Sequence, residues 1–552
     1  MSNKSKSNSF IIQGSILAFA GILVRVIGLI YRIPLNRILG ESGMGYYGTA
    51  FEIYNVLILL SSQSMPLAVS KIVSEKLEKK QYKNAHKVFK GALIYGITIG
   101  VIFGMLAFFG ADWISVKIYK LPQVAIPLRI LAPTLTVACV LGVLRGYFRG
   151  MGNMIPTSVS QIFEQIVNAV VSVIAAYELG AYGYSLSKMA DESETFRASY
   201  SAAGGTLGTL CGAVTALIIM IIILYRHFGS INSNIRKDIT KSVDSYGTIT
   251  KVIVFTITPV LISTTIYNIG NLLDNPIFQN IMYSISPEST EAQRSAVYGN
   301  YTGIYRTLTT MPIAIASALS TAIVPSLVRS YVAGDKSVVK NKIDMALKFS
   351  MIIAFPCGMG LSVLGVPINK LLFGSSGDGA APMMVFSIFT VIAFSLSTIS
   401  NAILQGIDKL KVPIKNSAIS LGLHLIILPC LLIVFKLNIY GVVIGDILFG
   451  ATVSVLNAMS IKKYLNYRQN MFETFVKPFI CAGVMGAGCF GIYKLFNGLI
   501  KINAISTIIA IMVAVVIYAL MLVITKTVTE DELLSMPKGV MIAKLMKKIH
   551  MI

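Results

Sequence analysis

Gly14, Ala18, Gly21, Arg25, Gly28 and Arg32 follow one another at steps of four and three residues, so a helix carries them on a single stripe. Two of the six are arginines, yet the surrounding run from Phe10 to Ile33 is otherwise apolar and long enough to cross a bilayer. A guanidinium is a planar fork that makes paired, charge-assisted hydrogen bonds to phosphate oxygens. Left in hydrocarbon, such a charge costs at least about 2.5–3.5 kcal/mol, so it must meet an acid or a water-filled cavity. Glu52 and Glu164 are the acids that would pair with Arg25 in a purely structural tie. The four small residues of the stripe favour close helix packing.

Other segments carry polar stripes of their own. Thr157, Gln161, Glu164, Asn168 and Ser172 form one, Glu52 and Asn55 a second, Tyr267, Asn271 and Asp274 a third, and Thr302 and Arg306 a fourth. Several stripes on separate helices favour a polar cavity, since one tie needs only one pair. Arg25, Arg32, Arg129 and Arg306 suit an anionic, phosphate-bearing ligand, although Arg129 and Arg306 lie near helix ends where snorkelling serves equally well. Glu52, Glu164 and Asp274 have the opposite bias and suit charge balance, a cation or a proton. Asp446 is a further acid within an apolar segment. Arg145 and Arg149, in RGYFR, read as an interfacial anchor or as a receiver of phosphate headgroups.

The elements that must position these groups follow from composition. The chain has 552 residues, 55% hydrophobic and 13% charged, with mean hydropathy +0.74. A soluble protein carries about a quarter charged residues. Apolar stretches of about 20 residues recur throughout, which predicts an all-α polytopic membrane protein. Fourteen transmembrane helices are expected near 10–33, 47–70, 91–110, 124–144, 155–178, 201–225, 252–277, 298–327, 347–370, 383–405, 413–435, 438–460, 474–496 and 503–525. The first is too long for a signal-peptide core. With both termini cytoplasmic, 33 Lys and Arg fall inside, 11 outside and three within spans, the asymmetry that sets orientation. The net charge of +23 is therefore topological and does not call for nucleic acid.

An internal repeat is visible in the loops. YFRGMGNMIPTSVS (147–160) resembles ILQGIDKLKVPIKNS (403–417), and SMPLAVSKIVSEK resembles AIVPSLVRSYVAG. Pro156 and Pro413 stand 257 residues apart, Pro66 and Pro325 259 apart. The similar offsets predict two six-helix lobes of parallel topology with a site between them. The expected divisions are 1–228 for helices 1–6, 229–462 for helices 7–12, 463–527 for helices 13–14 and 528–552 for a basic cytoplasmic tail. No Walker loop, GxSxG, HExxH or CxxC occurs, and the longest loops hold about 20–25 residues. The six cysteines lie in apolar segments, read as packing residues, and neither they nor the four histidines have metal-ligand spacing. No cofactor is expected, and transport is a better class than catalysis.

RGYFRGMGNMIPTSVSQIFEQIVN (145–168), SMPLAVSKIVSE (64–75), MPIAIASALSTAIVPSL (311–327) and the tail TEDELLSMPKG (529–539) resemble the multidrug/oligosaccharidyl-lipid/polysaccharide flippase superfamily. Within it they resemble the Gram-positive polysaccharide-biosynthesis and stage V sporulation protein B branch, related to MurJ-type lipid II flippases. The resemblance implies two lobes in a V, a lipid-tail groove at helices 13–14, and alternating access in the bacterial plasma membrane. It also implies an undecaprenyl-pyrophosphate-linked saccharide as substrate, first of all the peptidoglycan precursor lipid II. Arginines on helices 1 and 8 of such flippases face a cationic cavity, and Arg25, Arg32 and Arg306 fall at or beside those positions. Two departures stand out: helix 2 carries Glu52 and no matching arginine, and helix 11 offers Asn416 and His424 where some relatives use an acid for sodium. The coupling force, Na+, H+ or membrane potential, stays open. Alternatives are another polysaccharide precursor, a multidrug or cation antiporter of the same fold, or a membrane-embedded glycosyltransferase. Expected partners are the lipid-linked saccharide and the bilayer, with a monomer working near cell-wall synthases.

Overall fold

Apolar runs of this length leave the backbone one way to satisfy its polar groups in hydrocarbon without a closed barrel, and that is helix. The computed structural model describes residues 2–186, 190–238 and 244–528, and its regular elements are all helical. Gly14, Ala18, Tyr267, Asn271, Pro325 and the expected tail motif lie outside the residues whose side chains are described. Eleven helical stretches among the described residues are long and apolar enough to cross a membrane. The first, Phe19–Glu78, takes in both expected spans 1 and 2. Expected spans 7 and 8 fall on α7 (Tyr246–Ile285) and on α8 (Glu291–Gly299) with α9 (Arg306–Val332). The chain forms two compact units, Met1–Gly299 and Asn300–Ile552.

In the first unit, α1 (Ser2–Ser61) has 60 residues. At about 1.5 Å per residue it measures some 90 Å, about three hydrocarbon thicknesses. It is broken at Gly40, whose φ of 64° and ψ of −175° are closed to residues with a Cβ. The helix expected over 47–70 stops at Ser61, turns, and restarts as α2 (Met65–Glu78). Pro66 is the reason: inside a continuous helix its ring would collide with the Ser62 carbonyl, whereas in a first turn it costs nothing.

Glycines four apart set the remaining crossings of this unit. On α6 (Ala190–Arg236), Gly204, Gly208 and Gly212 lie against α5 (Ile155–Tyr184). A methyl group on Gly208 would sit 2.5 Å from the Ser172 nitrogen and 2.7 Å from the Asn168 carbonyl. Gly96, Gly100 and Gly104 of α3 (Tyr82–Trp113) meet α4 (Ala125–Gly150) in the same way, and Gly142, Gly146 and Gly150 of α4 meet α2. Lipid tails are as apolar as side chains, so close backbone approach supplies the packing that a hydrophobic drive cannot.

The second unit holds α9 to α16. The span expected over 347–370 divides at Leu364 into α10 (Lys336–Val363) and α11 (Gly365–Phe373). Buried amides tie α12 (Ser387–Gly406), α13 (Lys411–Ile433) and α14 (Ile439–Leu465) together. Asn457 donates to the Ser400 hydroxyl at 3.0 Å and the Asn401 oxygen at 2.7 Å, and accepts from Asn416 at 2.9 Å. Helices α15 (Lys477–Ile500) and α16 (Asn503–Ile524) share an apolar seam of Met485, Cys489, Ala510 and Ala514.

Candidate functional site

Arg25 is exposed and makes no hydrogen bond or ion pair with any described residue. Of the small residues of its stripe that are described, Gly21 is open, since a side chain there would meet nothing within 4 Å, and Gly28 is close to α5, since one there would lie 3.3 Å from the Gln165 amide. Phe19, Ile22, Val26 and Ile30 form the exposed apolar face of the same helix. At about 100° per residue that face is turned roughly 130° from the arginine stripe. Arg25 therefore stands on an open face distinct from the exposed apolar one. Arg32, two turns on, is half-buried and engaged within the protein.

Neither acid expected to pair with Arg25 does so, because each is taken by a nearer donor. Glu164 accepts from Arg145 at 2.5 Å, and the Arg145 Nε–H donates to Ser160 at 3.1 Å. Arg149, one turn along α4, is half-buried and its Nε–H finds no acceptor. The RGYFR pair is thus one neutralised and one uncompensated guanidinium. Farther along α5, Ser172 donates to the Gly205 carbonyl at 2.8 Å and Asn168 donates to the Tyr31 hydroxyl at 3.5 Å. Most of that polar stripe fastens α5 to its neighbours, and Gln161 alone of it is half-exposed without a partner. Glu164→Gln is expected to cost about 1–3 kcal/mol by stranding Arg145, which is 13% exposed. Thermal unfolding should show it, and Glu164→Gln with Arg145→Gln should recover part of the loss.

Glu52 is 8% exposed and accepts from Asn275 of α7 at 2.7 Å and from the Tyr298 hydroxyl of α8 at 3.2 Å. The second Asn275 amide hydrogen goes to Thr49 at 2.9 Å. Asn55, one turn beyond Glu52, is exposed, and Asp274 is buried and engaged. Asn275 and Tyr298 escaped the sequence reading, since neither is among the residues assigned to the polar stripes. Arg129 pairs with Asp112 of α3, and both side chains are largely solvent-accessible, so it is a surface tie of small energetic weight. Arg306, the first residue of α9, is half-buried and engaged.

In the second unit, Asp446 accepts from the Tyr301 hydroxyl, and His424 Nδ1 lies 3.1 Å from the Gly445 carbonyl. A carbonyl oxygen only accepts, so Nδ1 carries a proton in this contact. Ligand atoms of His424 and Asp446 lie within 4.8 Å of each other. Asn416, grouped with them by sequence, belongs instead to the amide network of α12–α14.

Glu291, ahead of the apolar part of α8–α9, accepts from the Gln123 backbone N–H at 2.9 Å. Burial raises its pKa above 4.5, against the pull of that hydrogen bond and of Arg294. The folded chain thus holds this proton more tightly than the unfolded one, so the stability that Glu291 contributes is fully present below about pH 4.5 and is lost as pH rises through the raised folded value. Glu291→Gln should flatten this slope and raise the melting midpoint at neutral pH, as thermal scans at pH 4.5 and 7.5 will test.

Comparison with known proteins places these features in a family. Stage V sporulation protein B of Bacillus subtilis (strain 168) is 25% identical over 532 residues, covering 95% of this chain and 96% of the relative. Lipid II flippase MurJ of the same organism is 22% identical over 437 residues, covering 76% of this chain and 77% of the relative. Among solved structures, an inward-facing multidrug resistance MATE family transporter of the MOP superfamily aligns with TM-score 0.65 and 15% identity, over 83% of this chain and 98% of that one. Lipid II flippase MurJ in an inward closed conformation aligns with TM-score 0.63 and 14% identity, over 92% and 98%. The chain is a multi-pass protein of the bacterial inner membrane. The description "Polysaccharide biosynthesis protein" matches residues 12–331, more than half its length, and the chain belongs to that family.

Proposed function

We propose that the protein is a flippase that carries an undecaprenyl-pyrophosphate-linked saccharide, first of all lipid II, from the inner to the outer leaflet by alternating access. The observation that carries this reading is Arg25, a guanidinium without a partner among the described residues, on an open face of α1 distinct from its exposed apolar face. A dianionic pyrophosphate is the chemistry that such a fork receives best. Arg32 and Arg306 would add charge, and Arg149 would meet the headgroup at the end of α4. The chain would cross the membrane fourteen times with both termini cytoplasmic, leaving the prenyl tail in the bilayer beside α15 and α16. Transport would draw on the membrane potential or on a cation or proton held at Asp446 and His424.

The names of two Bacillus relatives and of one solved structure support this direction. A second reading, a multidrug or cation antiporter, is favoured by the TM-score of 0.65 to a MATE transporter. Depletion of the protein in its host, followed by a leaflet assay of lipid-linked precursor, separates them. The flippase reading expects precursor to accumulate in the inner leaflet. An unchanged pool in a host stripped of related flippases sinks it.

A further inference from the structure

The C-terminal half of α14 repeats the logic of an amphiphile. Val455, Met459 and Lys462 lie on one face at steps of four and three residues, apolar first and basic last. That face lines a cavity of about 450 Å³ wholly within the second unit, with Leu396 and Phe475 adding apolar walls and Arg468 and Gln469 the polar rim. The volume lies within the range of small-molecule sites. Three donors of the rim lack acceptors. Lys462 and Arg468 make no hydrogen bond or ion pair with any described residue, and the Gln469 Nε2 is buried without a partner. Glu473, close by in sequence, pairs with Lys477 at 2.6 Å, and Asp344 receives the hydroxyl of the lining residue Tyr467 at 2.5 Å. Among the described residues, no acid lines the cavity. Two of its lining residues, Met459 and Met471, are exposed apolar side chains.

We infer that this cavity binds an anionic membrane phospholipid, one acyl chain running along Val455 and Met459 and the phosphate held by Lys462, Arg468 and the Gln469 amide. A buried amide donor with no acceptor is costly, and a phosphate oxygen removes that cost. Basic side chains that end an apolar helix face attract anionic headgroups in the same way. The site depends on the chain being a membrane protein and not on which precursor it carries.

The test uses the purified full chain in detergent micelles, with native mass spectrometry reading retained lipid. Dioleoylphosphatidylglycerol should be retained in preference to dioleoylphosphatidylcholine. Lys462→Gln with Arg468→Gln should weaken that retention about 30-fold. Ala458→Trp, which fills the apolar part and leaves the charges, should weaken it as well. Lys462 and Arg468 are exposed, so the paired Gln variant remains decisive if the tryptophan variant misfolds. Equal retention of the two phospholipids, or unchanged retention in the Gln variant, overturns the proposal. So does displacement of the bound phosphatidylglycerol by equimolar undecaprenyl phosphate, which would make the cavity a subsite for the transported lipid.

Discussion

Arg25→Glu is expected to lower headgroup translocation at least about 100-fold while the protein still reaches the membrane in normal amount. Two charges 4 Å apart interact by about 4 kcal/mol at the effective dielectric of a protein surface, and reversal turns that attraction into repulsion. Even a fraction of the swing exceeds the roughly 2.7 kcal/mol that a 100-fold change requires. Folding should tolerate the change, because Arg25 is exposed and ties no other described residue. Arg25→Lys should fall between the two, since an ammonium keeps the charge and loses the fork. Vesicle assays of precursor exposure will measure the series. Wild-type rates for Arg25→Glu would refute substrate contact, and loss of drug efflux in its place would favour the antiporter.

Gly208→Leu should have the second large effect, on folding. The first added carbon already lies 2.5 Å from the Ser172 nitrogen, which belongs to the backbone of α5 and cannot rotate away. Overpacking by a few methylenes costs about 1–3 kcal/mol in a core that can shift. Here the crossing must open along its length, because Gly204 and Gly212 press the same two helices together. The expected result is loss of folded protein at growth temperature, with Gly208→Ala retained but lowered in melting midpoint. Gly422→Leu is the matched control: it too lies within a helix, it is exposed, and a side chain there meets open space. Equal behaviour of the two leucine variants would mean that close approach does not govern this crossing.

The same glycines mark the limit of what was legible beforehand. Hydropathy and helical periodicity are local properties, so the membrane class, the arginine stripe of α1 and the helix start at Pro156 could be read from the order of residues, whereas the break before Pro66 was read as one continuous helix. The role of Asn168 and Ser172 could not, because a polar stripe looks alike whether it faces water or fastens two helices. Only the glycine-spaced approach of α6 puts the Gly205 carbonyl within 2.8 Å of Ser172. Pairing is decided in the same way. Glu164 had a plausible partner in Arg25 by charge, yet it meets Arg145, since ion-pair geometry depends on the depth and rotation of neighbouring helices. Sequence alone determined that an arginine must sit on the membrane-crossing face of α1 that also carries its small residues. Tertiary packing decided that this arginine pairs with no acid among the described residues, since other donors hold Glu52 and Glu164.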